Sequence, residues 1–168
     1  MDETEVTEAL EKVRRLRAAE HFDEYVVAAC GVAALYPTNA TAQLEAAYAC
    51  DRYGDEGDAI RYYDAAWTLG VPPEDRKKFL LGYGSTLRNV GRLDESIERL
   101  RAAAAEMPSF AAYPAFLSLS LHSAGRHDEA IVAALDAVLV MNETTNALEG
   151  YQRALRYYRN EIAGENPR

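Results

Sequence analysis

Positive charge is scarce in this chain: 18 Lys and Arg face 27 Asp and Glu, for a formal net charge of −9 and a pI near 4.9. A duplex nucleic-acid binder needs a broad basic face to displace counterions. That class is excluded, and docking on an anionic membrane surface is excluded with it. Long apolar runs are missing too, because the least charged stretch, 109–125, is interrupted by Pro114, several serines and His122 and is too short and polar to span a bilayer. The start, Met1-Asp2-Glu3-Thr4-Glu5, is acidic and has neither the basic leader nor the apolar segment of a secretory signal, so the cytoplasm is the expected location. Only two cysteines occur, Cys30 and Cys50, both in apolar helical stretches. They read as buried thiols rather than as a disulfide or a reactive pair.

Catalytic signals are equally thin. His122 and His127 lie five apart with no cysteine or carboxylate set to complete a metal site, so no metal or other cofactor is expected. Gly82-Tyr83-Gly84 lacks the preceding strand and the third glycine of a dinucleotide loop. The acidic pairs Asp23-Glu24, Asp94-Glu95 and Asp128-Glu129, with Asp58, could suggest catalytic carboxylates. All fall where a second helix of a pair begins, and there negative charge offsets the exposed amide dipoles. No Ser, His and acid arrangement can be nominated, so the chain reads as no enzyme.

What is present is a repeat. Gly91-Arg92-Leu93-Asp94-Glu95-Ser96-Ile97 returns 34 residues later as Gly125-Arg126-His127-Asp128-Glu129-Ala130-Ile131. Seven residues before each glycine sits a small residue, Gly84 or Ser118, and four before sits Leu87 or Leu121. Twelve after come Ala103 and Ala137, and Pro108 follows the first copy. Apolar residues at spacings of three and four, as in Val6, Leu10, Val13 and Leu16, predict helices throughout. Gly54 is the turn of an earlier pair, and Glu20, 34 residues before it, stands where the other pairs have glycine. Gly91 lies 37 after Gly54, an insertion that maps to 70–75, where Gly70 can end one helix and Pro72-Pro73 start the next. At 168 residues and 49% apolar content the chain is one domain by length, with material for a continuous core.

A two-helix hairpin with a glycine turn and a period of 34 resembles the tetratricopeptide repeat family. The resemblance implies an all-α fold: a right-handed superhelix of four hairpins, at about 4–37, 38–72, 73–108 and 109–142, closed by a capping helix at 146–162. Small residues in the first helices (Ala47, Gly84, Ser118) and second helices (Ala66, Ala103, Ala137) allow close approach. Hairpin one departs from the pattern with Val13, Val32 and, where others carry Ala or Ser, Tyr25. In length the chain is similar to the short stand-alone bacterial members.

The resemblance also implies that first helices line a concave groove for partner peptides. By spacing, the groove positions are Arg14, Arg17, Leu44, Tyr48, Arg52, Leu81, Arg88, Leu119, His122, Arg153 and Arg156. Their many arginines and few acids predict a locally basic groove that attracts an acidic, partly apolar peptide. The subclass that clamps the acidic tails of chaperones is not expected, because its matching sites carry Leu10, Arg14 and Glu45 and only Lys78 agrees. The last second helix should turn Ile131, Ala134 and Val138 inward, leaving Val132, Leu135 and Leu139 as a stripe for a homodimer or for cover by the C-terminal helix. The function implied is a noncatalytic protein-interaction module; the alternative is a regulatory sensor of a small signalling peptide or ligand.

Overall fold

A computed structural model describes residues 3–165. Within them the chain is all-α: α1 (Glu3–Ala18), α2 (Phe22–Leu35), α3 (Ala40–Tyr53), α4 (Glu56–Leu69), α5 (Pro73–Asn89), α6 (Leu93–Glu106), α7 (Ala112–Ser123), α8 (His127–Thr145) and α9 (Gln152–Ile162). Among the described residues no helix is long and apolar enough to cross a membrane. The chain forms two compact units, one ending at Thr86 and the other starting at Leu87, so the division falls inside α5.

The turns show what the repeated motif does. Gly91 and Gly125 adopt φ of 83° and 74°, a left-handed conformation that glycine enters without a Cβ penalty. After Gly91, the Arg92 amide donates to the Leu87 carbonyl at 2.9 Å and the Gly91 amide to Arg88 at 3.0 Å. After Gly125 the same pair recurs, Arg126 to Leu121 and Gly125 to His122, at 2.9 and 3.0 Å. These two bonds close a helix end by satisfying its last carbonyls. Glu20 makes the identical turn with φ 61°, His21 donating to Leu16 and Glu20 to Arg17. Gly54 differs: its φ is −122°, and a Cβ there would meet the Cys50 Cα at 3.0 Å, so its reason is close approach.

The motif's arginine and glutamate also have a joint role. Arg92 forks onto Glu95 at 2.7 and 2.6 Å, and Arg126 onto Glu129 at 2.7 Å through both nitrogens. Each fork seals the first turn of a second helix, and it holds both Glu95 and Glu129 below the ordinary carboxylate range, with the arginine bond as the main cause. Elsewhere Asn39 caps α3 by accepting from the Ala42 amide at 2.9 Å, and Asp55 caps α4 from the Asp58 amide at 3.2 Å. Pro73 opens α5, where its missing N–H costs nothing.

In the first unit, α1 packs on α2, α2 on α3 and α3 on α4. Its core ends in an aromatic cluster: Tyr63 and Trp67 of α4 against Phe79 and Tyr83 of α5, with ring centroids 5.4–6.2 Å apart. Such pairs contribute about 0.5–1.5 kcal/mol each beyond their burial. Gly82 lies against this cluster, and a Cβ on it would stand 2.4 Å from the Tyr63 hydroxyl oxygen. The Gly82-Tyr83-Gly84 run is therefore a packing feature.

In the second unit α6 packs on α7, α7 on α8 and α8 on α9. The seam of α8 is Ala130, Ala133 and Ala137. Ile131, Ala134 and Val138, expected inward, are exposed, with Ile131 at 48% and Val138 at 40%. Close-packed helices bury their smallest residues at the contact, as the repeat position of Ala137 implies, and the row one residue on, Ile131, Ala134 and Val138, turns outward. Two boundaries also differ from expectation. α8 runs on to Thr145, and the terminal helix starts only at Gln152 because Asn146, Glu149 and Gly150 all take positive φ and spend 146–151 in a tight turn.

Candidate functional site

Glu45 is the anchor of the first-helix face in the first unit. It sits in mid-α3 between Leu44 and Ala46, and its side chain is 6% exposed. An isolated carboxylate there would be costly. Three donors compensate it: Tyr25 Oη of α2 at 2.7 Å, Arg17 at 3.3 Å and Arg14 Nε at 3.2 Å, the last two from α1. The departure at Tyr25 is thereby explained, since only a long side chain with a hydroxyl can span from α2 to this acid. Burial and then Glu45 hold the Tyr25 phenol well above its ordinary range, so it stays a donor.

Next to Glu45 opens a depression of about 480 Å³ lined by Arg14, Arg17, Thr41, Glu45, Tyr48, Glu74, Asp75 and Lys78. The Lys78 ammonium lies 3.8 Å from the centroid of the Tyr48 ring, a cation–π contact that brings α5 against α3. The Tyr48 hydroxyl is buried and finds no partner among the described residues. That is an uncommon state for a phenol, which has one proton to give. The Lys78 pKa is lowered, by burial first and then by the charge of Arg17, against the opposing pull of Glu45 and Asp75.

Of the sequence-predicted positions, the fold brings Arg14, Arg17 and Tyr48 into this depression. Arg52 is exposed, its guanidinium 5.8 Å from the Tyr53 ring centroid, and Leu81 is half-buried. Leu44 is a correction: it is 1% exposed and belongs to the core, because α3 is wrapped on more sides than a two-faced helix. The locally basic character is corrected as well, since three cations in the lining meet three carboxylates. From the sequence, Glu45 and Lys78 figure only as positions matching the chaperone-tail subclass, and Asp75 is not among the groove positions. The one available signal was an acid, Glu45, set inside the apolar run Leu44 to Ala47.

In the second unit Arg88 is half-buried and donates to the Asn89 side chain at 2.7 Å. Leu119 is 45% exposed, and the His122 ring lies tilted against that of His127 with centroids 5.1 Å apart. Arg153 and Arg156 are exposed, Arg156 lying 4.0 Å from Glu143. The stripe expected to be open is not: Leu139 is 6% exposed, and Val132 and Leu135 are half-buried. Val132 and Val140 of α8 line a groove of about 600 Å³ closed on its other side by Arg159 and Ile162 of α9. Arg159 fastens α9 there by bonding Asp136 at 2.9 and 3.3 Å.

No curated protein matches the chain. Solved structures of MamA do. MamA MSR-1 C2 is 17% identical with a TM-score of 0.74, covering 86% of this chain and 82% of that one. A crystal structure of MamA protein is 21% identical with a TM-score of 0.71, covering 95% and 88%. Identities this low show a common fold and nothing further. The model of the tetratrico peptide repeat matches residues 40–162. Extending over more than half of the chain, and laid on helices whose turns recur in the same register, that match makes this chain a member of the tetratricopeptide repeat family.

Proposed function

We propose that the chain is a noncatalytic protein-interaction module whose first-helix face, between α1, α3 and α5, receives an acidic, partly apolar peptide segment. The observation that carries this reading is the donor-rich depression beside Glu45. Arg14 and Arg17 share one carboxylate and keep further N–H donors, and the buried Tyr48 hydroxyl has a proton without an acceptor among the described residues. An incoming carboxylate takes up the further arginine donors, and the sealed Tyr48 hydroxyl joins it once the side chain turns outward. Lys78, whose charged form is disfavoured by burial and by Arg17 despite Glu45 and Asp75, gains a further anion. Rigid helices present these donors in place, so the flexible partner bears most of the ordering cost.

The test is fluorescence polarisation with a labelled peptide of alternating Glu and Leu, compared with its Gln counterpart. The Glu peptide is expected to bind at least tenfold more tightly, and Lys78→Ala to remove most of the difference. Equal affinity for the two peptides overturns the reading. The pH dependence has a definite sign: binding favours protonated Lys78, so affinity is full below its lowered pKa and falls as pH rises through it, earlier than for an ordinary lysine.

Self-association is the second part of the proposal, and what supports it is an exposed row on α8 other than the expected Val132, Leu135 and Leu139. Ile131, Ala134, Val138 and Met141 form an exposed row at helical spacing, with Met141 56% exposed. A row of that kind suits an isologous contact with a second copy. A monomer in sedimentation at high micromolar concentration overturns it.

A further inference from the structure

The two cysteines, 20 residues apart in sequence, meet in space. Cys30 of α2 is half-buried, Cys50 of α3 is 2% exposed, and both are free thiols. Their sulfurs lie 3.5 Å apart in hydrogen-bonding contact. A disulfide has its sulfurs about 2.05 Å apart, so closing the bond asks for a movement of about 1.5 Å between helices that already pack together. The neighbouring Tyr62 phenol of α4 is pushed up to about 12, by its interaction with Cys30 first and burial second.

We infer that Cys30 and Cys50 are a reversible redox-modification site, joined to a disulfide by peroxide-class oxidants and reopened by dithiols. The order of events follows from access. Cys50 is sealed in the core, and burial, then its bond to Cys30, push its thiol up to about 12, so it is not the first nucleophile. The half-buried Cys30 sulfur attacks one peroxide oxygen; the O–O bond breaks, water leaves, and Cys30 becomes a sulfenic acid. The Cys50 sulfur, already in contact, then attacks the Cys30 sulfur. An S–S bond forms, the S–O bond breaks, and the hydroxyl departs with the Cys50 proton as a second water. Two thiols have lost two electrons and two hydrogens, and the peroxide oxygens have gained them.

The bond ties hairpin one to hairpin two at the joint that Tyr25, Arg14 and Arg17 already span through Glu45. Oxidation therefore locks α2 against α3. The inference rests on the thiol geometry alone and stands whether or not an acidic peptide binds.

The test treats the full chain with hydrogen peroxide at neutral pH, then counts free thiols in denaturant with a chromogenic disulfide and records the intact mass. The expected result is joint loss of both thiols, a mass lower by two hydrogens, a monomeric band without reductant, a higher melting temperature, and full reversal by dithiothreitol. Cys50→Ser should stop at a Cys30 sulfenic acid that dimedone captures. Loss of Cys30 alone to sulfinic acid in the wild-type chain, a disulfide-linked dimer, or two intact thiols where free cysteine is consumed would each overturn it.

Discussion

Glu20 holds a left-handed turn at φ 61° that two other hairpins assign to glycine. A side chain in that conformation is strained by about 1–2 kcal/mol, and glycine relieves the strain while adding freedom to the unfolded chain. Glu20→Gly is therefore expected to stabilise by about 0.5–1 kcal/mol, and Gly91→Ala to destabilise by about 1 kcal/mol, both read from urea midpoints. Gly82 is constrained for the opposite reason. Its φ is unremarkable, but a Cβ would stand 2.4 Å from a Tyr63 oxygen that Asp51 pins at 3.1 Å. Overpacking against a fixed ring costs about 1–3 kcal/mol, and Gly82→Ala should lower the urea midpoint accordingly. The turn at Glu20 was readable from the period of 34, since position in a repeat predicts backbone conformation even where the residue type does not. The close approach at Gly82 was not readable, because it depends on which ring the neighbouring helix presents.

Between elements, the decisive contacts are polar groups buried at the seams. Asp51 of α3 accepts from Tyr63 of α4 at 3.1 Å and from Thr86 of α5 at 2.9 Å, and both donors are fully buried. Burial raises the Asp51 pKa, and the two hydrogen bonds only partly oppose that. A carboxyl whose folded pKa is raised costs stability once ionised, so this cost is present above its folded pKa and disappears as pH falls through it. Asp51→Ala is expected to lose about 2–4 kcal/mol, because two buried hydroxyls are left without acceptor. Asp51→Asn keeps an acceptor and removes the charge; it should fall within about 1 kcal/mol of wild type at neutral pH. Equal losses for the two variants in urea unfolding would show that the charge itself, rather than the acceptor, holds the three helices. The sequence made the helices and their pairing legible through apolar spacing and turn glycines. It did not make these seams legible, since nothing in the spacing shows that Glu45, Asp51 and Ser96 meet Tyr25, Tyr63 and Ser120 of the neighbouring helices. The repeat marks Ala137 as a close-approach position, but the phase of the rest of α8 is not legible, because Ile131, Ala134 and Val138 follow the same helical spacing as Ala130, Ala133 and Ala137.

For the whole molecule, the net charge of −9 sets the terms on which an acidic partner arrives. Arginine-rich spacing alone suggested attraction at long range, yet the depression beside Glu45 carries equal numbers of cations and carboxylates. Nothing there opposes the field of the molecule until contact is made. Beyond the Debye length, about 30 Å at 0.01 M salt and about 8 Å at 0.15 M, exposed charges are largely screened. Raising salt over that range removes the long-range repulsion between an acidic chain and an acidic peptide, and so speeds encounter. The short contacts of Arg14, Arg17, Tyr48 and Lys78 lie inside the Debye length at either salt, so dissociation should change much less. Stopped-flow mixing with the Glu and Leu peptide is therefore expected to show an association rate that rises with salt and a dissociation rate that is nearly flat. An association rate that falls with salt would mean that basic residues elsewhere steer the peptide, and that the depression beside Glu45 is not where recognition begins.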